Sequence, residues 1–201
     1  MTSPPPLDFG QYYHIYSRGN NRENLFFEDR NYPYFLELYA RHVGPVADTY
    51  AYCLLRNHFH LLVRIREAEE QRPHSLERRQ ILNPSKQFGT WLNAYTKAIN
   101  KAYARTGSLF QNPFGRLSVT SDAHLVHLVG YVHQNPQRHG LVTDFRRWPH
   151  SSYKAMLSRK RTRLCRDEVL AWFQGLAAFQ AYHAVPVHTA TVHRWVPEDP
   201  D

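Results

Sequence analysis

The sequence predicts an α+β fold in which one antiparallel sheet packs against helices. Three observations lead to this prediction: β-prone stretches alternate with stretches of helical periodicity, two β-prone stretches are separated by only three residues, and no internal repeat is present. Hydrophobic residues make up 42% of the 201 residues, which is enough for a core. Because a typical domain has ~150 residues, one compact domain with extensions is expected.

The first four elements are a strand, a helix and the two strands of a hairpin, expected at residues 12–16, 28–42, 46–55 and 59–65. The first strand is rich in aromatic and β-branched residues and leads into a basic, turn-prone loop. The helix has apolar residues at helical spacing and stops at a Gly-Pro pair. The two strands that follow are close enough in sequence to form a hairpin.

The next three elements are a long second helix, a fourth strand and a third helix, expected at residues 84–106, 116–120 and 122–135. Asn83 is a suitable N-cap for the long helix, with proline at its first position, and Gly107 ends it. Ser121 or Asp122 can cap the third helix, and Pro136 is expected to stop it. The order βαββαβ with an appended helix predicts a ferredoxin-like sandwich, an antiparallel sheet with helices on one face.

A basic extension follows this unit. From Arg146 to Arg166 the chain carries eight Lys or Arg and no Asp or Glu, and a last helix is expected near 168–182. The expected divisions are a flexible N-terminus, a main domain, a basic helical extension and a flexible tail, at residues 1–10, 11–140, 141–183 and 184–201.

Charge and composition narrow the classes of function. Lys and Arg total 25 against 17 Asp and Glu, a net charge of +8, which favours a polyanionic partner such as nucleic acid. Cys53 and Cys165 form no CxxC pattern, so neither a disulfide framework nor a thiolate zinc site is indicated. The sequence shows neither a signal-peptide pattern nor an apolar run near the ~20 residues of a membrane helix. A cytoplasmic, nucleoid-associated protein with no membrane contact is expected.

Two histidines on a predicted strand and a tyrosine on a predicted helix are candidates for chemistry. His58 and His60 are two residues apart, so both point to one side of the strand, ~6.5 to 7 Å apart along it. At 100° per residue, Tyr131 and Asn135 lie about 40° apart on the polar side of their helix. A half-buried strand and a core tyrosine with its hydroxyl at the rim are the structural alternatives.

Two imidazoles, an amide oxygen and a phenol suit metal-assisted phosphoryl transfer. A Mg²⁺ or Mn²⁺ ion held by His58, His60 and Asn135 would keep open positions for a phosphate. Tyr131 would then attack phosphorus and form a phosphotyrosine. Because a phenol has a pKa of only ~10, it is also a good enough leaving group for the reverse step, so the cut stays rejoinable.

Several motifs resemble those of the single-tyrosine HUH transposases. They read YHIYSRGNN, LRNHFHLLV, FQNPF, YVHQNP and GLV, at residues 13–21, 55–63, 110–114, 131–136 and 140–142. Within that family, the WPHSSY motif at 148–153 and the basic extension resemble the REP-associated tyrosine transposases. The resemblance runs from about residue 12 to residue 180.

The resemblance implies a ferredoxin-like catalytic domain that binds single-stranded DNA next to a hairpin, nicks it and holds the 5′ phosphate on a tyrosine. It assigns the metal to His58 and His60, and the nucleophile to Tyr131. The third ligand of relatives is a polar residue one helical turn after the tyrosine, often Gln, here Asn135. Transposon-borne members act as dimers, whereas REP-associated members are usually host-encoded single copies that act on dispersed palindromes, so monomer and homodimer stay open.

The expected DNA contacts are basic or amide side chains of the first loop, the fourth strand and the extension. They are Arg18, Asn20, Asn21, Arg22, Arg116, Arg159, Lys160, Arg161 and Arg163. A solvated surface is the alternative for the basic run in the extension. Phosphate contact is favoured because the run adjoins a candidate nuclease and lacks acidic partners.

Two other functions compete with nicking. A DNA-hairpin-binding protein of the same fold would need no cleavage, but the intact His58, His60 and Tyr131 argue against it. A zinc hydrolase or deaminase would need HExxH, or His-x-Glu followed by Pro-Cys-x-x-Cys, and the sequence has neither pattern.

Overall fold

A computed structural model describes residues 6–72 and 81–186. Its strands β1 (Tyr12–Arg18), β2 (Ala47–Leu54), β3 (His58–Ile65) and β4 (Gly115–Val119) form one antiparallel sheet in the order β2-β3-β1-β4. The helices in these ranges are α1 (Asn31–His42), α2 (Pro84–Ala102), α3 (Asp122–Arg138), α4 (Tyr153–Leu157), α5 (Arg166–Trp172) and α6 (Leu176–His183). The predicted α+β class and ferredoxin-like sheet are confirmed.

The two faces of the sheet are covered by different helices. On one face, α1 and α2 pack over apolar residues that include Phe59 and Leu61. On the other face, α3 and the helices of the extension pack over a second core that includes Leu62. Because successive side chains of a strand point to opposite faces, His58 and His60 share the α3 face with Leu62.

The N-termini of α2 and α3 follow the predicted caps, but their ends do not match the prediction: α2 already ends at Ala102, before Gly107. Asn83 and Ser121 each accept a hydrogen bond from the backbone amide three residues further on. The expected stop at Asn135 is wrong, because α3 runs through Pro136 to Arg138. A proline in the last turn removes only one backbone hydrogen bond, which the packed helix tolerates.

The single helix expected at 168–182 is two helices, which corrects that prediction. Gln174 and Gly175, between α5 and α6, have φ angles of 61° and 116°. Glycine adopts such a conformation without strain, so the chain turns sharply at this point. The break lets Phe173 and Phe179 both pack into the core under α3.

The WPHSSY segment covers the outer edge of β2. The backbone amide of Leu54 donates to the carbonyl of His150, and Ser152 donates to the carbonyl of Tyr52, each at 2.9 Å. The Trp148 indole donates to the Leu54 carbonyl, also at 2.9 Å. An uncovered edge strand can pair with another chain, so this segment protects the edge and ties the extension to the main domain.

The described part of both chain ends makes contacts with the folded body. Leu7 is buried, and the Gly10 amide donates to the Ile65 carbonyl at 2.8 Å. The Gln134 side chain of α3 donates to the Val185 carbonyl at 2.8 Å. The rest of the predicted flexible ends, 1–5 and 187–201, lies outside the described residues. None of the helices in the described ranges is long and apolar enough to cross a bilayer.

Candidate functional site

His58 and His60 lie at the start of β3, on the face that α3 covers. Their cross-strand partners in β1 are Arg18 and Tyr16. The histidines are only 3% and 0% exposed, and their ring centroids are 5.2 Å apart at an interplanar angle of 88°. The two rings are therefore neighbours in a buried position, as their spacing in the strand predicts.

Helix α3 brings Tyr131 and Asn135 to the two histidines. The centroid of the Tyr131 ring lies 5.5 Å from that of His60, and both Tyr131 and Asn135 are 0% exposed. Asn135 lies close enough to His58 to counteract, in part, the lowering of the His58 pKa by burial. Tyr131 and Asn135 thus face the histidines of the sheet, and the four predicted catalytic residues come together there.

The ring nitrogens of the histidines divide into two sets. His58 Nδ1 lies 2.7 Å from Asn57 Oδ1, and His60 Nδ1 lies 2.9 Å from His14 Nε2. The Nε2 atoms of His58 and His60 are buried with no hydrogen-bond partner among the described residues. The same holds for Asn135 Oδ1. Buried polar atoms are rarely left unsatisfied, so these three atoms require an explanation.

A divalent metal ion would satisfy these three atoms. Neutral imidazole nitrogen is a common metal ligand, and amide oxygen suits Mg²⁺ and Mn²⁺. In the part of the chain that the structure describes, no group of three His, Cys, Asp or Glu side chains could hold a metal ion. A site built on His58 and His60 therefore depends on Asn135 for its third protein ligand.

Burial keeps the site histidines neutral. It lowers the pKa of His58 to about 3, and the charges of His139 and Arg18 act in the same direction. Burial also lowers the pKa of His60 well below its usual value of 6.5. A neutral imidazole is the form that binds a metal ion, so the protonation state of both rings fits the ligand role.

Three residues that the sequence analysis missed lie at the site: His14, Arg138 and His139, whose ring centroid is 4.7 Å from that of His58. His14 is fully buried, its ring is inclined by only 16° to that of His60 with the ring centroids 5.1 Å apart, and burial lowers its pKa to about 3. The Arg138 guanidinium lies 5.4 Å from the centroid of the Tyr131 ring. The sequence contains a signal for His14 and for Arg138. His14 lies in the YHIYSRGNN motif, and Arg138 follows Tyr131 by seven residues, which is two helical turns and therefore the same side of the helix.

The predicted DNA contacts of the first loop adjoin this site. Arg18 ends β1 directly opposite His58. Asn20, Asn21 and Arg22 form the short 3₁₀ turn that follows, in which Asn21 and Arg22 are exposed. The structure therefore places this group beside the histidines.

Arg116 is on the other face of the sheet. Its partner in β1 is Ile15, a core residue under α1 and α2. The guanidinium lies 4.1 Å from the centroid of the Phe114 ring and donates to Ser85 at the start of α2. The structure does not bring Arg116 to Tyr131.

The basic cluster, defined as Arg159, Lys160, Arg161 and Arg163, lies in the loop between α4 and α5. All four side chains are exposed. Leu164 of this loop pairs with Thr49 of β2. Thr49 lies four residues before Cys53, the cross-strand partner of His60, which is a distance of roughly 13 Å along the strand. Arg161 and Arg163 line an open cavity of about 1170 Å³ between α1, β2 and the loop. The basic cluster is therefore separate from the histidine site.

Comparisons with known proteins point to one group. No protein-family model matches the chain. A Haemophilus influenzae protein whose curated name carries the designation REP-associated tyrosine transposase is 26% identical over 112 residues, which cover 53% of this chain and 58% of that protein. A solved structure of a REP-associated tyrosine transposase bound to a REP hairpin matches with a TM-score of 0.60 at 15% identity, over 79% of this chain and 86% of that chain.

The similarity to the H. influenzae protein supports the family resemblance, and the solved structure supports the fold. The matched segment is less than two thirds of the H. influenzae protein, and the solved structure at this identity shows a shared fold. The resemblance to the REP-associated tyrosine transposases therefore extends from motifs to the arrangement of strands and helices.

Proposed function

We propose that this protein nicks and rejoins single-stranded DNA at hairpins of palindromic repeats, as a REP-associated tyrosine transposase. One observation carries the proposal: Tyr131 packs against His60, at the place where ligand atoms of His58, His60 and Asn135 are buried without partners. The similarity to a structure bound to a REP hairpin supports the same class of DNA.

The chemistry is an exchange of phosphate esters. The Tyr131 hydroxyl gives up its proton as its oxygen attacks phosphorus and forms a 5′-phosphotyrosine. The bond to the 3′ oxygen breaks and that oxygen takes up one proton, so no proton is gained or lost overall. Attack by a 3′ hydroxyl on the phosphotyrosine reverses these steps. His58, His60 and Asn135 would hold Mg²⁺ or Mn²⁺, which supplies stabilisation of the charge on the phosphate. Arg138 adds positive charge beside the tyrosine ring.

DNA has to reach a tyrosine that is closed off in this structure. Tyr131 is 0% exposed, so the scissile phosphate can reach its oxygen only after a local opening around α3. Arg18 and the 20–22 turn, which adjoin the histidine site, would contact DNA there, and the basic cluster would contact phosphates further away. The protein would work as a monomer or homodimer on DNA of the nucleoid.

Removal of either histidine is expected to abolish metal-dependent nicking, because two remaining ligands cannot hold the ion that stabilises the phosphate. His58→Ala and His60→Ala are assayed on oligonucleotides that carry hairpins of palindromes from the source genome, with Mg²⁺, Mn²⁺ or EDTA. The control is His42→Ala on α1, across the sheet, which should nick like wild type. Wild-type nicking that persists in excess EDTA would contradict the metal site.

Phosphate contacts of the basic cluster are expected to appear in the salt dependence of binding. For single strands, log K falls with log[salt] at a slope of about −0.7 per neutralised phosphate. The triple variant Arg159→Gln, Lys160→Gln and Arg161→Gln should flatten this slope. The charge-matched control replaces Lys86, Lys97 and Lys101, which are exposed on α2 across the sheet. Equal slopes for the two triple variants would make the basic cluster a solvated surface.

A hairpin-binding protein without nicking activity is the second candidate. The complete burial of Tyr131 favours it, because a nucleophile that never becomes accessible cannot form an ester. The two functions differ in one product, a covalent adduct between protein and DNA, which only nicking yields.

A further inference from the structure

We propose that His14 is a positioning residue that holds His60 in the one tautomer able to bind a metal ion. The proposal rests on the proposed function, because it concerns a ligand of the proposed metal site. Both rings are 0% exposed, and His14 Nε2 lies 2.9 Å from His60 Nδ1. Neither comparison nor the sequence motif assigns a role to His14.

The direction of this hydrogen bond decides whether His60 can be a ligand. A neutral imidazole has one N–H, so its two nitrogens cannot both be acceptors. If His14 Nε2 donates, His60 carries its proton on Nε2 and has no lone pair there. If His60 Nδ1 donates to His14, the lone pair of His60 Nε2 is available to a metal ion.

His58 makes a corresponding hydrogen bond through its Nδ1, and the partner atom there can only be an acceptor. Its Nδ1 lies 2.7 Å from the amide oxygen of Asn57, which can only accept, so Nδ1 donates and Nε2 keeps its lone pair. Ligand histidines in metal sites usually donate their second N–H to such a partner, which orients the ring and raises its basicity. His14 is the residue of this chain in the equivalent place for His60.

The buried packing holds the His14 ring against both His60 and Tyr131. The ring is inclined by only 16° to that of His60 and meets the Tyr131 ring edge-on at 6.0 Å. His14 therefore contacts both the proposed ligand and the proposed nucleophile. Its Nδ1 is buried without a hydrogen-bond partner among the described residues, which is the cost of directing Nε2 toward His60.

The test measures Mn²⁺ binding to the full chain by calorimetry, without DNA. His14→Phe, which has no acceptor, is expected to weaken Mn²⁺ binding about 10- to 100-fold. His14→Gln, whose amide oxygen can accept at a similar reach, should restore most of this loss. His183→Phe is the matched control, because it removes a buried, hydrogen-bonded histidine on α6 and should leave Mn²⁺ affinity unchanged.

The ¹⁵N NMR spectrum of the metal-free wild type gives a second readout. We expect His60 with its proton on Nδ1 and a bare Nε2. A proton on His60 Nε2, or Mn²⁺ affinity of His14→Phe equal to that of wild type, would overturn the role of His14. Failure of the proposed metal site looks different: wild type would then bind Mn²⁺ no better than a variant lacking both His58 and His60.

Discussion

Tyr131→Phe is expected to bind hairpin DNA like wild type, to make no nick and to form no covalent adduct. The change removes one oxygen and keeps the ring that packs against His60. The free energy of unfolding should therefore change by only about 1 kcal/mol, the amount typical of one hydrogen bond. Nicking should fall below detection, because no other group at this position can form the phosphate ester.

The measurement is a denaturing gel of protein with a labelled hairpin oligonucleotide, which separates the adduct and the nicked strand. Tyr95→Phe is the matched control, since Tyr95 is equally buried but donates to Leu25 under α2, on the other face of the sheet. An adduct formed by Tyr131→Phe would assign the nucleophile to another residue. Absence of an adduct with wild type on every palindrome of the source genome would favour the hairpin-binding function.

Acidification from pH 7 to pH 5 is expected to remove several kcal/mol of stability. One cause, besides the buried histidines of the site, is a buried chain of hydrogen bonds between α3, α6 and Ser152 at the start of α4. His133 Nδ1 lies 2.9 Å from His183 Nε2, and His133 Nε2 lies 2.7 Å from the Ser152 hydroxyl. Both histidines are at most 2% exposed, so a proton added to either would place a charge in this buried chain.

The direction of the change in stability follows from the pKa values of these histidines in the folded and the unfolded state. Burial lowers the pKa of His183 to about 4 and that of His133 well below 6.5, the value expected in the unfolded chain. Below pH 6.5 the unfolded state therefore binds more protons, and stability falls as the pH falls toward 4. Each of the two histidines contributes about 1.4 kcal/mol per pH unit within this window.

Urea unfolding at pH 7 and pH 5, in the presence of EDTA, measures the effect. His183→Gln removes one titrating group and keeps an acceptor for His133. The free energy of unfolding lost between pH 7 and pH 5 should therefore be smaller by about the contribution of one histidine. Val169→Ala, a core change with no titrating group, should lower stability equally at both pH values. If His183→Gln and wild type lose the same free energy on acidification, His183 is not part of the acid response.

Local periodicity was enough to predict most of the fold and the four residues of the candidate site. Strand side chains alternate, so the spacing of His58 and His60 placed them on one face before any packing was known. Helical spacing did the same for Tyr131 and Asn135. The caps at Asn83 and Ser121 are also local, because each hydrogen bond spans only three residues.

Only the tertiary structure decided which groups meet across elements. Tyr131 and Asn135 face the histidines of the sheet, and His14 reaches His60 across 46 residues of sequence, because helix packing and strand register place them there. The same packing puts Arg116 on the other face and the basic cluster along the far part of β2. Such contacts depend on side chains distant in sequence, so no pattern within one strand or helix contains them, and the sequence alone determined the parts of the site but not their arrangement.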